Sequence, residues 1–304
     1  MHLAAIACAF ARIVLQDETL MEAISAEAIR TMMHFFPSDI AHMAWASARL
    51  GIIDGPLFDA ISSAALRKLS SFAPLHLANT AWAFSKLAMH HSPLLDSIAA
   101  QAMRSCSQFV STHISSIAWS FAFLSVRDEP LLDSIASEAR ARLQDFEAQG
   151  MCNTVWSFAT LSFLHEPLLA AISAASSAML RSEDGIYRAQ DLTNTAWAYA
   201  HLELAHETLF DSIAAAALRL LTDFLPQDLS NTAWSFSKIE NHNYPLFDAI
   251  AAQSLARLSE FPPQSLTTSA WALAKIMCDN RPFLDSISAS SLPLINEFVP
   301  PDIS

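Results

Sequence analysis

The sequence predicts an all-α fold, an αα-solenoid of two-helix repeats, and three observations predict it. All 7 tryptophans, Trp45, Trp82, Trp119, Trp156, Trp197, Trp234 and Trp271, are separated by 37, 37, 37, 41, 37 and 37 residues. A repeat this short cannot bury its own apolar face and must stack on its neighbours. Only 4 glycines occur in 304 residues, too few for the turns that many short strands would need. Helix-start signals built on proline recur with the same period.

Within a repeat, the first helix carries the tryptophan, in IAHMAWASARL (40–50), LANTAWAFSKL (77–87), ISSIAWSFAFL (114–124), MCNTVWSFATL (151–161), LTNTAWAYAHL (192–202), LSNTAWSFSKI (229–239) and LTTSAWALAKI (266–276). It opens on proline and short polar residues, as in Pro37-Ser38-Asp39 and Pro226-Gln227-Asp228, so Asp39, Asp191 and Asp228 are the expected N-caps. The second helix opens at PLFDAISS (56–63), PLLDSIAA (93–100), PLLDSIAS (130–137), PLLAAISA (167–174), TLFDSIAA (208–215), PLFDAIAA (245–252) and PFLDSISA (282–289). Proline suits a first turn, where its missing N–H has no partner to lose. The acid three residues later gains roughly 0.3–1 kcal/mol from the helix dipole.

Each second helix ends near an aromatic, Phe35, Phe72, Phe109, Phe146, Tyr187, Phe224, Phe261 or Phe298, expected in the core. The 41-residue interval arises at RSEDGIYR, where a bulge is expected around Glu183 to Arg188. The organisation expected is one array over 1–304. It has a partial repeat at 1–36, repeats at about 37–73, 74–110, 111–147, 148–188, 189–225, 226–262 and 263–299, and a truncated repeat start at 300–304. Both ends cut a repeat where solenoids normally finish in polar caps, so the chain reads as part of a longer protein.

Composition narrows the function. A hydrophobic fraction of 53% with 15% charged residues excludes a disordered chain, and no apolar run reaches the roughly 18 residues of a membrane span. The chain reads as soluble, with no membrane partner. Cys8, Cys106, Cys152 and Cys278 form no CxxC, which fits a reducing compartment without disulfides or zinc. No HExxH, G-x-S-x-G, GxGxxG or phosphate-loop motif is present, so no catalysis, metal, cofactor or small-molecule substrate is expected. The net charge of −13 opposes nonspecific binding to phosphate backbones, although a local row of cations can act on an acidic protein.

Such a row exists. Four residues after tryptophan stand Arg49, Lys86, Phe123, Thr160, His201, Lys238 and Lys275, with Arg12 in the degenerate first copy. Residues four apart share a helix face. Stacked repeats would therefore align an aromatic row with a largely cationic one, a track for single-stranded RNA. The competing reading makes the tryptophans structural core and the cations solvent-facing. A third pairs the cations with the first-turn acids Asp59, Asp96, Asp133, Asp211, Asp248 and Asp285, for about 0–1 kcal/mol each. Asn79, Asn153, Asn194 and Asn231, three residues before tryptophan, either tie a repeat to the next backbone or face the groove and contact a ligand. His91, His165 and His206 share an inter-helix loop column without metal-ligand spacing.

The segments LANTAWAFSKL, LTNTAWAYAHL and LSNTAWSFSKI, followed by a Pro-led helix and FLPQDLS, resemble the octotricopeptide repeat family of organellar RNA-binding proteins. They are also similar to the repeats of FAST-kinase-type mitochondrial RNA proteins, which carry RAP domains, and of the RNA-editing substrate-binding complex. The resemblance covers essentially the whole chain. It implies a right-handed α-solenoid that binds mitochondrial or plastid transcripts and acts in their processing, stability, editing or translation without catalysing a reaction. The period is shorter than the octotricopeptide one, and that family's proline-rich element is reduced to PLLD or PLFD, so its base code does not carry over. AWAFSK and AWSFSK also resemble the third helix of armadillo repeats, which bind peptides. Here the ladder position is mostly basic, so that alternative implies a protein partner with an acidic peptide.

Overall fold

The computed structural model describes residues 2–182, 187–278 and 280–294. Among them are sixteen α-helices and no strand, the all-α repeat architecture that the period implies. They fall into two compact units, Met1–Phe146 and Glu147–Ser304. Of the segments expected above, Glu183–Ile186 of the bulge, Phe298 and the repeat start at 300–304 lie outside the described residues.

In unit 1 the helix pairs are α1 (His2–Ile13) and α2 (Glu18–Thr31), α3 (Pro37–Arg49) and α4 (Gly55–Lys68), α5 (Pro74–Lys86) and α6 (Ser92–Ser105), and α7 (Ser111–Phe123) and α8 (Glu129–Ala141). Unit 2 holds α9 (Ala148–Thr160) and α10 (Glu166–Arg181), α11 (Ala189–His201) and α12 (Glu207–Leu220), α13 (Pro226–Lys238) and α14 (Tyr244–Ala256), and α15 (Pro263–Lys275) and α16 (Arg281–Ser291). Within each unit the first helices of successive repeats pack most closely. Small residues such as Ala44, Ala46, Ala81, Ala83, Ala196 and Ala198 are buried on these helices.

The core aromatic of the first helix is not tryptophan but the residue two positions later. Phe84, Phe121, Phe158, Tyr199 and Phe236 are at most 2% exposed, and Phe84 and Phe236 meet Phe58 and Phe210 edge-on at 5.0 Å. Two positions rotate a helix by about 200°, so a buried residue two along turns tryptophan to the other side. Trp45, Trp82, Trp119, Trp156, Trp197 and Trp234 are accordingly only half-buried, and Trp271 is 40% exposed. The tryptophans are thus less deeply buried than the aromatic two positions later. The aromatics ending the second helices, Phe35, Phe72, Phe109, Phe146, Tyr187, Phe224 and Phe261, are buried.

The helix caps differ from those expected. Asp39, Asp191 and Asp228 sit at the third helical position, where the carboxylate accepts the N–H of Phe36, Arg188 and Leu225 at 3.1, 3.2 and 3.0 Å. His76 and His113 occupy the same position and accept the N–H of Ala73 and Val110 through Nδ1. The second helices are capped from the loop column that contains the histidines. Asp17, Asp54, His91, Asp128, His165, Asn243 and Asn280 each accept the N–H three residues on.

First helices end in a left-handed residue, at Val14, Gly51, Ala88, Ser125, Ser162, Glu203, Glu240 and Met277, with φ between 50° and 71°. At Ala88 the backbone completes a double closure, Ala88 N–H to Ser85 C=O and Met89 N–H to Phe84 C=O, both 2.8 Å.

Successive repeats are also tied by cations at the ends of second helices. Lys68 donates to the carbonyls of Met33 and Phe35, Arg142 to Ser107 and Arg257 to Phe224. The ladder predicted through first-turn acids does not form: Asp59, Asp96, Asp133, Asp211, Asp248 and Asp285 are exposed and join no ion pair among the described residues.

Candidate nucleic-acid interface

Counting from tryptophan, positions −7, −3, 0 and +4 fall on one face of the first helix, because steps of three and four residues return close to the same angle. The Phe or Tyr at +2 anchors the opposite face in the core, and this leaves the tryptophan face open. Each unit has a concavity on that face.

In unit 1 a concavity of about 490 Å³ is lined by Cys8, Arg12, His42, Trp45, Leu75 and Asn79 with Ala5 and Ala9. Arg12, Arg49 and Lys86 are exposed and take part in no ion pair among the described residues. Phe123, in the same column, stacks on Trp119 with ring centroids 5.0 Å apart.

In unit 2 a concavity of about 460 Å³ is lined by Trp156, Thr160, Asn194, Trp197, Gln227, Asn231 and Gln264, with Ser230, Pro262, Ser265 and Thr268. His201 stacks on Trp197 at 4.8 Å, and Trp234 lies 6.3 Å from Trp271. The lysines here are engaged: Lys238 Nζ lies 3.1 Å from Glu203 and Lys275 Nζ 3.7 Å from Glu240, each acid coming from the preceding repeat. Lys275 also sits 5.8 Å above the Trp271 ring, a cation–π contact. The acids that pair are therefore left-handed residues at the ends of first helices, not first-turn aspartates.

The asparagine column faces this open side. Asn79, Asn153, Asn194 and Asn231 are half-buried, and Asn79, Asn194 and Asn231 line the concavities. The Asn194 amide lies against the Cys152 thiol, which burial pushes up to about 12. Burial also raises Cys8 and Cys106, so these three thiols are poor nucleophiles.

One column escaped sequence reasoning. Gln149, Gln190, Gln227 and Gln264 stand seven residues before tryptophan in all four repeats of unit 2, and all are exposed. Unit 1 has Ser38, Leu75 and Thr112 there. The signal for it in the sequence is its constant spacing of two helical turns before tryptophan.

Comparison with known proteins gives one family. The model of the RNA-editing substrate-binding complex 6 protein matches residues 1–207 and 185–303. No curated protein matches the chain.

Proposed function

Because this chain belongs to the RNA-editing substrate-binding complex 6 protein family, we propose that it is a non-catalytic scaffold that binds single-stranded RNA in mitochondrial RNA editing. The strand lies along the open face of the first helices, in the manner of octotricopeptide repeats, stacking bases on the half-exposed tryptophans and touching phosphate with the neighbouring cations. The observation that carries this reading is the juxtaposition of Arg12, Arg49 and Lys86, in no ion pair among the described residues, with half-buried Trp45 and Trp82 on the same face of successive first helices. The exposed first-turn aspartates Asp59, Asp96, Asp133, Asp211, Asp248 and Asp285 stand on the second helices rather than in the cationic column, which leaves room for a basic track on an acidic protein. Buried, raised thiols support a role without covalent chemistry.

The family's name denotes a complex, which favours protein partners as a second function of the same scaffold. Titration of labelled single-stranded RNA at several salt concentrations tests the first reading. Three cations on phosphate give a slope of log affinity against log salt near roughly −2, from about −0.7 per contact. Absence of binding at low salt would refute it and leave the protein-binding reading, in which the cationic column takes an acidic peptide.

A further inference from the structure

We infer that unit 2 is where nucleobases are read: its tryptophan face juxtaposes two columns of uncharged amides with paired, neutralised lysines, whereas the cations of unit 1's column join no ion pair among the described residues. This rests on the RNA-binding reading above and specifies which chemistry each unit contributes.

Gln at −7 and Asn at −3 are one helical turn apart on the face that also carries tryptophan. In unit 2 they repeat as Gln149 and Asn153, Gln190 and Asn194, and Gln227 and Asn231, while Gln264 is followed by Thr268. Unit 1 has a single amide in these two columns, Asn79. A carboxamide offers two donors and one acceptor group without charge, the complement of a base edge rather than of a phosphate.

The concavity of unit 2 gathers Gln227, Gln264, Asn194 and Asn231 between Trp156 and Trp197. The amides of Gln227, Asn231 and Gln264 make no hydrogen bond to protein among the described residues, so a ligand can take them without breaking a contact. Thr160 Oγ1, on the same wall, is buried from solvent and unpartnered. The two lysines at this unit's +4 positions each have a glutamate. An aromatic flank with free amides and little net charge suits an unstacked base, read on its edge and stacked on indole.

The test compares a labelled single-stranded RNA with an abasic ribose-phosphate strand of equal length, using the full chain. The wild type is expected to prefer the base-bearing strand by roughly tenfold or more, the scale of one bidentate amide–base contact plus stacking. In Gln227→Ala/Gln264→Ala, both exposed sites whose loss leaves the core untouched, this preference falls several-fold, to the share that stacking on indole supplies, while the salt slope stays unchanged. Adding Asn231→Ala, with helicity checked by circular dichroism, deepens the loss. Arg49→Gln/Lys86→Gln lowers affinity for both strands equally and flattens the slope. Equal wild-type affinity for the two strands, or a preference undiminished by the glutamine changes, overturns this inference and leaves RNA binding standing. Failure to bind either strand at low salt overturns the RNA reading and this one with it.

Discussion

Helix α5 of unit 1 ends in Lys86 and α13 of unit 2 in Lys238; the residue 35 positions earlier is Gly51 in the first case and Glu203 in the second. Gly51 and Glu203 hold the same left-handed conformation, at φ 71° and 58°. The backbone of the two repeats is thus alike, and one side chain at the helix end decides whether the next repeat's lysine stands free or paired. Lys275 and Glu240 repeat the paired case, while Arg49 has Val14 at the equivalent place. The repeat unit is therefore a fixed frame in which core positions stay constant and the open face is varied copy by copy.

If the frame is common to both units, the same core deletion must cost the same in each. Phe84→Ala and Phe236→Ala, whose rings make matching edge contacts with Phe58 and Phe210, are each expected to destabilise by about 3–5 kcal/mol in chemical denaturation. Trp82→Ala and Trp234→Ala, on the half-exposed face, are expected to cost markedly less. A tryptophan change as damaging as the phenylalanine change would move the core back to the indoles.

Charge reversal separates the units next. Arg12→Glu/Arg49→Glu/Lys86→Glu is expected to lower RNA affinity by roughly a hundredfold or more at low salt, removing three phosphate contacts from the slope. Lys238→Glu/Lys275→Glu is expected to have a clearly smaller effect, since Glu203 and Glu240 already hold those lysines. Equal losses would mean the ion pairs open freely on binding.

At the third helical position, the histidines of unit 1 and the aspartates of unit 2 give opposite responses to acid. Burial lowers His76 and His113 below the usual histidine value, with His42 adding to the effect on His76. The unfolded chain then takes up these protons first, so their stabilisation is present above about pH 6.5 and is lost as pH falls through the depressed folded values. Burial raises Asp191 and Asp228, although the N–H of Arg188 and of Leu225 partly offsets it. Their contribution is fullest below about pH 3.9 and is lost as pH rises through the raised folded values. Thermal melts should show His76→Gln/His113→Gln flattening the decline below pH 6.5, and Asp191→Asn/Asp228→Asn altering only the region above pH 3.9. Unchanged pH profiles in both variants would contradict these assignments.

The smallest effect sharpens the comparison at the helix ends. Ala88→Gly relieves a left-handed alanine and is expected to stabilise by up to about 1 kcal/mol, net of glycine's added unfolded-state freedom. Glu203→Gly has the same relief but gives up the Lys238 pair, worth about 0–1 kcal/mol, so its gain in melting temperature should be smaller.

The helical period, the two-helix unit and the buried aromatics closing the second helices were legible in the sequence because each recurs over several copies. Which of two aromatic columns faces the core was not. Trp and the Phe or Tyr two residues later recur in near-identical register, and only packing between helices decides between them. The caps were hidden for a related reason: His91 and His165 do the work of Asp54 and Asp128, and a histidine in a loop does not advertise itself as a cap. The left-handed column was hidden because glycine, its usual signal, occupies it only at Gly51. At the site, the +4 and −3 columns were legible from their distance to tryptophan. The pairing of Lys238 and Lys275 was not, since the acids that hold them lie 35 residues away rather than in the predicted first-turn positions.

The central proposal is that RNA touches the open face of the first helices. Ultraviolet crosslinking of a bound single-stranded RNA, mapped by peptide mass spectrometry on the full chain, addresses it directly. Crosslinks are expected in peptides of α1, α3, α5, α11 and α13, centred on Trp45, Trp82, Trp197 and Trp234. Crosslinks confined to the second helices, beside Asp59, Asp96, Asp211 or Asp248, would contradict it.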